Sequence, residues 1–233
     1  MSGQFWLDWL ALAISLFNTV VLAWLGLTVL FNAERRTWGV FLAVGGMLAG
    51  AAFFLSHSVV VSQGASALIQ NFGFWWQVGW MPLVAAPYLW YLLMLWYSGY
   101  WDEAQSRLRR RQRIWFWLPL ALALLMAGLL LAANPLPDIS YEANVQVERL
   151  PSMSSVPLIS LTYPLYIVLC IGLALDALLR PAPSGRVMGD LARRRARPWL
   201  VSASLVLLLV SLLVGLVIAL LLQVSRGDPS IAH

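Results

Sequence analysis

Six uninterrupted apolar stretches dominate this chain and leave it few folds. They cover residues 9–31, 40–61, 74–97, 114–133, 158–179 and 199–222. Each is close to the length a helix needs to cross the hydrocarbon core of a bilayer, about 20 residues at a rise of about 1.5 Å. Backbone N–H and C=O groups find no water in hydrocarbon, so such a run closes its hydrogen bonds within itself as a helix. The sequence therefore predicts an all-α integral membrane bundle of six transmembrane helices. Composition agrees, with 61% hydrophobic and 11% charged residues, against about 45–50% and about 25% in soluble domains. The connections are too short for a separate soluble domain, so residues 1–233 read as one polytopic domain. The N-terminus lacks the basic stretch of a signal peptide, and Asp8 precedes the first apolar run.

Charge sets the expected orientation. All fifteen basic residues are arginine. Arg35 and Arg36 follow the first run. Arg107, Arg109, Arg110, Arg111 and Arg113 follow the third, and Arg180, Arg186, Arg193, Arg194, Arg195 and Arg197 follow the fifth. Thirteen of the fifteen thus fall on one side, with only Arg149 and Arg226 opposite. The positive-inside rule puts the first, third and fifth connections in the cytoplasm. The N-terminus is then outside, and six helices return the C-terminus outside too. A bacterial inner (plasma) membrane is the expected location. The net charge of +5 needs no nucleic acid, because arginines at these positions sit on anionic headgroups. Connections 102–113 and 189–197 lack interior proline and glycine and read as partly helical.

Several chemistries are excluded by what the chain lacks. Its single cysteine, Cys170, allows no disulfide framework and no cysteine metal site. Without lysine there is no retinal Schiff base. Of the two histidines, His57 and His233, only His57 lies in an apolar run, so two-histidine heme ligation within the chain is excluded. HExxH, GxSxG and GxxxxGK[ST] patterns are absent. The expectation is a non-catalytic protein without a bound metal, its cofactor, if any, unidentified.

Polar side chains inside a membrane are expensive, so each is a functional candidate. Asn18, His57, Gln77 and Asp176 are the ones here. Asp176 has Arg180 four residues on, the spacing of a helical ion pair. His57, between Ser56 and Ser58, is a candidate to ligate a pigment or heme, to titrate with outside pH, or to bond a neighbouring carbonyl. Helix three carries Phe74, Trp75, Trp76, Trp80, Tyr88, Trp90, Tyr91, Trp96 and Tyr97. Trp90, Met94, Tyr97 and Trp101 share one helical face, and Trp76, Trp80, Pro87 and Tyr91 another. Pro82 and Pro87 each remove a backbone hydrogen bond and predict a kink. An uncharged connection, 62–73, makes helices two and three antiparallel neighbours and brings His57 near Trp76 and Trp80. The candidate ligand-binding residues are therefore His57, Trp76, Trp80, Trp90 and Tyr91. They would form an aromatic wall with one titratable group for an apolar or amphipathic small molecule such as a quinone, lipid or pigment. The competing reading is plain helix packing with aromatic belts at both ends.

Two further patterns concern assembly. Gly46-xxx-Gly50 and Ser211-xxx-Gly215-xxx-Ala219 permit close helix approach, within the bundle or across a homodimer seam. In the outer loop, 134–157, Ala143, Val145 and Val147 alternate with Asn144, Gln146 and Glu148, the period of an extended arm.

Asn32-Ala33-Glu34-Arg35-Arg36 follows helix one, and Phe54-Leu55-Ser56-His57-Ser58 closes helix two. Phe74-Trp75-Trp76, Gly79-Trp80, Pro87, Trp90-Tyr91 and Leu95-Trp96-Tyr97 run along helix three. Over about residues 5–113 this texture resembles the N-terminal seven-helix membrane (sensor) region of bacterial histidine kinases and related signalling proteins. The resemblance implies an outside N-terminus and a role in sensing. In that family a seventh helix delivers the chain to the cytoplasm, where the kinase begins. This sequence shows six apolar runs, no phosphoacceptor region and no ATP-binding region. The expected function is a membrane sensor or signal-transduction module for an apolar or amphipathic ligand or for the membrane state. The alternatives are an accessory subunit of a larger, pigment- or quinone-associated membrane complex, and a small transporter. Its expected partners are the lipid bilayer and a second protein or second copy of itself.

Overall fold

A computed structural model describes residues 5–63, 68–102, 105–133, 152–153, 156–183 and 189–227. Among these described residues seven helices follow one another: α1 (Phe5–Asn32), α2 (Trp38–Gln63), α3 (Leu68–Tyr97), α4 (Arg107–Gln112), α5 (Trp117–Ala133), α6 (Leu158–Leu179) and α7 (Gly189–Gly227). Between α5 and α6 lies a two-residue antiparallel ladder, β1 (Ser152–Met153) with β2 (Val156–Pro157), in which Met153 faces Val156. The extended arm expected at 143–148 falls outside the described residues. Five helices, α1, α2, α3, α6 and α7, carry apolar stretches long enough to cross a membrane. The chain is thus helical and multi-pass. The apolar part of α5, Trp117–Leu131, is shorter.

Element boundaries depart from the sequence reading at the starts of α3, α5 and α7. α7 begins at Gly189 rather than 199, the stretch 189–197 that reads as partly helical running on into the apolar helix. α3 starts at Leu68 rather than 74, so most of the supposed 62–73 connection is helix. Residues 68–73 hold no proline and no charge, and nothing in them stops the helix that Phe74 would otherwise begin. α5 starts at Trp117 rather than 114. Residues 113–116 close into turns instead, with Phe116 N–H donating to Gln112 O at 2.8 Å and Trp117 N–H to Ile114 O at 3.3 Å. Stacking of Phe116 on Tyr100, ring centres 6.1 Å apart, holds that turn. Pro119 sits in the first turn of α5, where its missing N–H breaks no helical bond.

The chain divides into two compact units, Met1–Leu89 and Trp90–His233, and the division falls inside α3 just after Pro87. In the first unit α1 and α2 approach closely through small residues. A Cβ at Gly50 would lie 3.0 Å from Leu22 Cδ1, and one at Gly26 3.4 Å from Met47 Cβ. Gly46 has nothing within 4 Å, so only one glycine of the expected pair makes the contact. Hydroxyls do the rest. Buried Ser56 on α2 donates to the Trp75 carbonyl of α3, and a Cβ at Gly79 would lie 2.7 Å from Ser56 Oγ. In the second unit α3 meets α7 through Trp90, whose Nε1–H donates to Ser204 Oγ at 3.0 Å. Ser204 in turn donates to Leu200 O at 2.8 Å, so both groups are satisfied. Met94 is buried, and Tyr97 Oη donates to Arg193 O at 3.3 Å. The aromatic stripe read at positions 90, 94 and 97 is therefore largely a packing face. Tyr166, Ile167, Cys170 and Ile171 of α6 are fully buried.

α3 ends on a two-bond left-handed cap. Gly99 N–H donates to Trp96 O at 3.1 Å and Tyr100 N–H to Leu95 O at 3.0 Å, with Gly99 at φ +84°. Only glycine enters this conformation without a steric penalty. A Cβ there would also lie 3.2 Å from both Arg193 Nη1 and Asp102 Oδ2. The neighbouring Ser98 hydroxyl is buried with no partner among the described residues. The two positions should respond oppositely to alanine. Gly99→Ala should lose about 1–2 kcal/mol of stability. Ser98→Ala should stay within about 0.5 kcal/mol of wild type or stabilise, since it removes an unpaired buried group. Thermal unfolding of both variants in one detergent checks the contrast.

Candidate functional site

Two clusters of polar side chains stand out among the described residues, one in each unit. The first is built on α1 and α2. Ser15, buried on α1, donates its hydroxyl proton to Phe54 O of α2 at 2.9 Å. Ser58 donates to the same carbonyl at 2.8 Å. Ser15 Oγ also lies 3.3 Å from Nδ1 of His57. The one hydroxyl proton of Ser15 is committed to Phe54, so Ser15 accepts here and His57 Nδ1 carries the hydrogen. A neutral imidazole then has its lone pair on Nε2. The His57 side chain is exposed, and the Phe53 ring stacks beside it with centres 6.5 Å apart.

Of the other candidates in this unit, Trp80 is buried. No hydrogen bond or ring contact joins it to His57 among the described residues. Trp76 lies within α3, but its side chain is outside the described ones. His57 is thus anchored on α1, while Ser56, one residue earlier, faces α3. Consecutive helical residues point about 100° apart, which is why α2 uses one for each neighbour.

The second cluster is centred on Asp176, one turn from the end of α6. Its Oδ2 accepts from Arg111 Nε at 2.8 Å and from Gln112 Nε2 at 2.7 Å. Arg180, the partner expected from sequence, reaches Oδ1 only at 4.0 Å. Arg111 also donates from Nη2 to Asp176 O at 3.4 Å, placing a cation at the carbonyl end of α6, where the helix dipole favours one. Gln112 is 1% exposed, and its Oε1 accepts from Tyr91 Oη at 2.9 Å. Tyr91 is itself fully buried. A chain of bonds therefore runs from α3 through α4 to α6. Asp176 and Arg111 remain about one-third exposed, at 30% and 33%.

Nearby, Arg193 near the start of α7 donates to Asp102 Oδ2 at 3.1 Å and to Ala182 O at 3.3 Å. Ala182 N–H donates to Ser98 O at 2.9 Å, so the chain leaving α6 satisfies a carbonyl at the end of α3. Two of the five sequence candidates, Trp90 and Tyr91, thus serve as anchors of this unit, to Ser204 and Gln112 respectively. Gln112 was missed. Its signal in the sequence is faint: one uncharged polar residue in the run Arg109-Arg110-Arg111-Gln112-Arg113, four residues after Leu108, so the two share the inward face of α4. Among the described residues no group of three His, Cys, Asp or Glu side chains converges as a metal site would.

Comparison with protein-family models, curated proteins and solved structures finds no match for this chain.

The Asp176 cluster separates charge from hydrogen bonding. Asp176→Asn keeps an acceptor for Gln112 and loses only a part-exposed ion pair, costing about 0–1 kcal/mol. Asp176→Leu strips the buried Gln112 amide of its short bond and should cost about 1–3 kcal/mol. Thermal unfolding of the two variants, ranked wild type, Asn, Leu, checks this order.

Proposed function

We propose that this chain is a non-catalytic sensing and signal-transduction module of a bacterial inner membrane, responding to an apolar or amphipathic ligand or to the membrane state. We further read α5 as the sixth span, with both ends of the six-helix bundle outside. At 17 residues α5 is about 25 Å long, within the lower range for a spanning helix. The arginine distribution supports the orientation.

The observation that carries the sensing reading is His57. An exposed imidazole in a membrane-spanning helix is costly and is a functional candidate by default. Its Nδ1 is held by Ser15, which leaves Nε2 to accept a hydrogen bond from a ligand. The response would pass along α3, which runs from Leu68 to Tyr97 and so belongs in part to each unit, and whose ladder loses a bond at Pro82 and at Pro87.

The test is thermal stability in nanodiscs, with decylubiquinone or oleate added, and with dimyristoyl against dioleoyl phosphatidylcholine as a change of bilayer thickness. At least one of these should shift the melting temperature of the wild type, and His57→Ala and Trp80→Phe should lose that shift. No shift with any probe, or full retention in both variants, overturns the reading.

The accessory-subunit alternative draws on the large side chains that face outward on α1 and α2, among them Trp6, Trp24, Phe31 and Trp38. Co-migration with one defined complex from native membranes would favour it instead.

A further inference from the structure

Of the five arginines in the connection between α3 and α5, Arg109 is half-buried and the other four fall into two groups. Arg111 is neutralised by Asp176. Arg107, Arg110 and Arg113 are exposed and have no carboxylate partner among the described residues. The same short segment exposes large apolar side chains: Ile114 is 82% exposed, Trp117 64%, Trp115 47% and Trp101 46%. Its opposite side is fixed. Leu108 and Gln112 are each 1% exposed, and the Ser106 hydroxyl caps the helix by accepting from Arg109 N–H at 3.1 Å. Fixing Gln112 and Arg111 sets the rotation of α4 about its axis, so the free guanidiniums are oriented outward by the fold.

The depth of this segment follows from its neighbours. The apolar span of α3 ends at Tyr97, and the apolar helix α5 begins at Trp117. Residues 107–117 therefore leave and re-enter hydrocarbon at a membrane face. Arginine at that depth meets phosphate, and its planar fork matches two phosphate oxygens at once. Tryptophan at that depth sits between headgroup and acyl chain. We propose that the outward face of residues 107–117 is a binding site for an anionic phospholipid, with Arg107, Arg110 and Arg113 on the headgroup phosphate and Ile114 and Trp117 along the acyl chains. The inference rests on the reading of α5 as a span but not on the sensing role of His57. Phosphatidylglycerol and cardiolipin carry the required charge, and phosphatidylcholine does not.

The adjacent basic stretch supplies a control. Arg194 and Arg195 are exposed but consecutive on α7, so they point about 100° apart and do not converge on one headgroup.

Native mass spectrometry of the whole chain, with phosphatidylglycerol, cardiolipin or phosphatidylcholine added, reads the site directly. Wild type should retain the anionic lipids in preference to phosphatidylcholine. The triple variant R107Q/R110Q/R113Q should bind them about tenfold or more weakly. R194Q/R195Q should stay near wild type. The triple lysine variant R107K/R110K/R113K should recover most of the binding, which separates loss of charge from loss of fold. Wild-type retention in the triple glutamine variant, or an equal loss in R194Q/R195Q, overturns the site. Failure of the lysine variant to bind while its melting temperature equals that of wild type overturns the phosphate-charge basis. Displacement of the lipid by millimolar glycerol phosphate or inorganic phosphate would show a free-phosphate site and overturn the lipid assignment. Absence of any anionic-lipid preference in the wild type, with its decylubiquinone or thickness response intact, would sink this site alone and leave the sensing reading standing.

Discussion

A carboxylate at the end of a membrane helix cannot be left alone, and Asp176 is answered from another element. A buried or half-buried charge without a partner costs far more than the net worth of any pair it forms. The Asp176 oxygen is met by Arg111 and by Gln112, both brought by α4. Gln112 is then committed on its other side to Tyr91 of α3. The requirement to satisfy one anion thereby places α4 between α3 and α6 and sets its rotation. The outward aim of Arg107 and Arg110 follows from the same bonds, because α4 is only six residues long and its inner face is used up by Leu108 and Gln112.

The first unit solves a milder problem by lighter means. It has hydroxyls in place of a carboxylate. Ser15 ties α1 to the Phe54 carbonyl and Ser56 ties α2 to the Trp75 carbonyl. Bonds of this kind between membrane helices are worth about 0.6 kcal/mol each, with about 1.7 as an upper value. They are weak enough to rearrange, which suits a unit proposed to respond to its surroundings, and they need Gly79 and Gly50 to bring the backbones close. His57 borrows its orientation from the same Ser15 hydroxyl that joins the helices. A ligand bonded to His57, as proposed, would therefore be felt at the α1–α2 contact itself.

Much of this was legible in the sequence, because a bilayer imposes one rule on every residue of a span. The runs at 9–31, 40–61, 158–179 and 199–222 each lie inside or coincide with a helix. The helical spacing of Trp90, Met94 and Tyr97 marked a real face. What stayed hidden depends on contacts between distant segments. Asp176 and Gln112 are 64 residues apart, and the local signal, Arg180 at the fourth position, pointed to the weaker partner. His57 looked toward α3 because 62–73 was read as a loop joining neighbours, whereas the bond it makes is to α1. Helix periodicity says which residues share a face but not which neighbour that face meets. The early start of α3 was missed for a related reason: 62–73 was read as a connection, yet in an uncharged stretch beside hydrocarbon the helix remains the way to pair the backbone.

The claim that Gln112 and Asp176 hold α4 against the second unit is tested most directly by hydrogen–deuterium exchange of Gln112→Leu in nanodiscs. The substitution keeps a side chain of similar size and removes the amide's hydrogen bonds to Tyr91, Asp176 and Leu173 O. Exchange at the backbone amides of residues 107–117 should rise well above wild type, while the amides of α1 and α2 around Ser15 and Phe54 keep their protection. Unchanged protection across 107–117 would contradict the account, because α4 would then be held by something other than the Asp176 cluster.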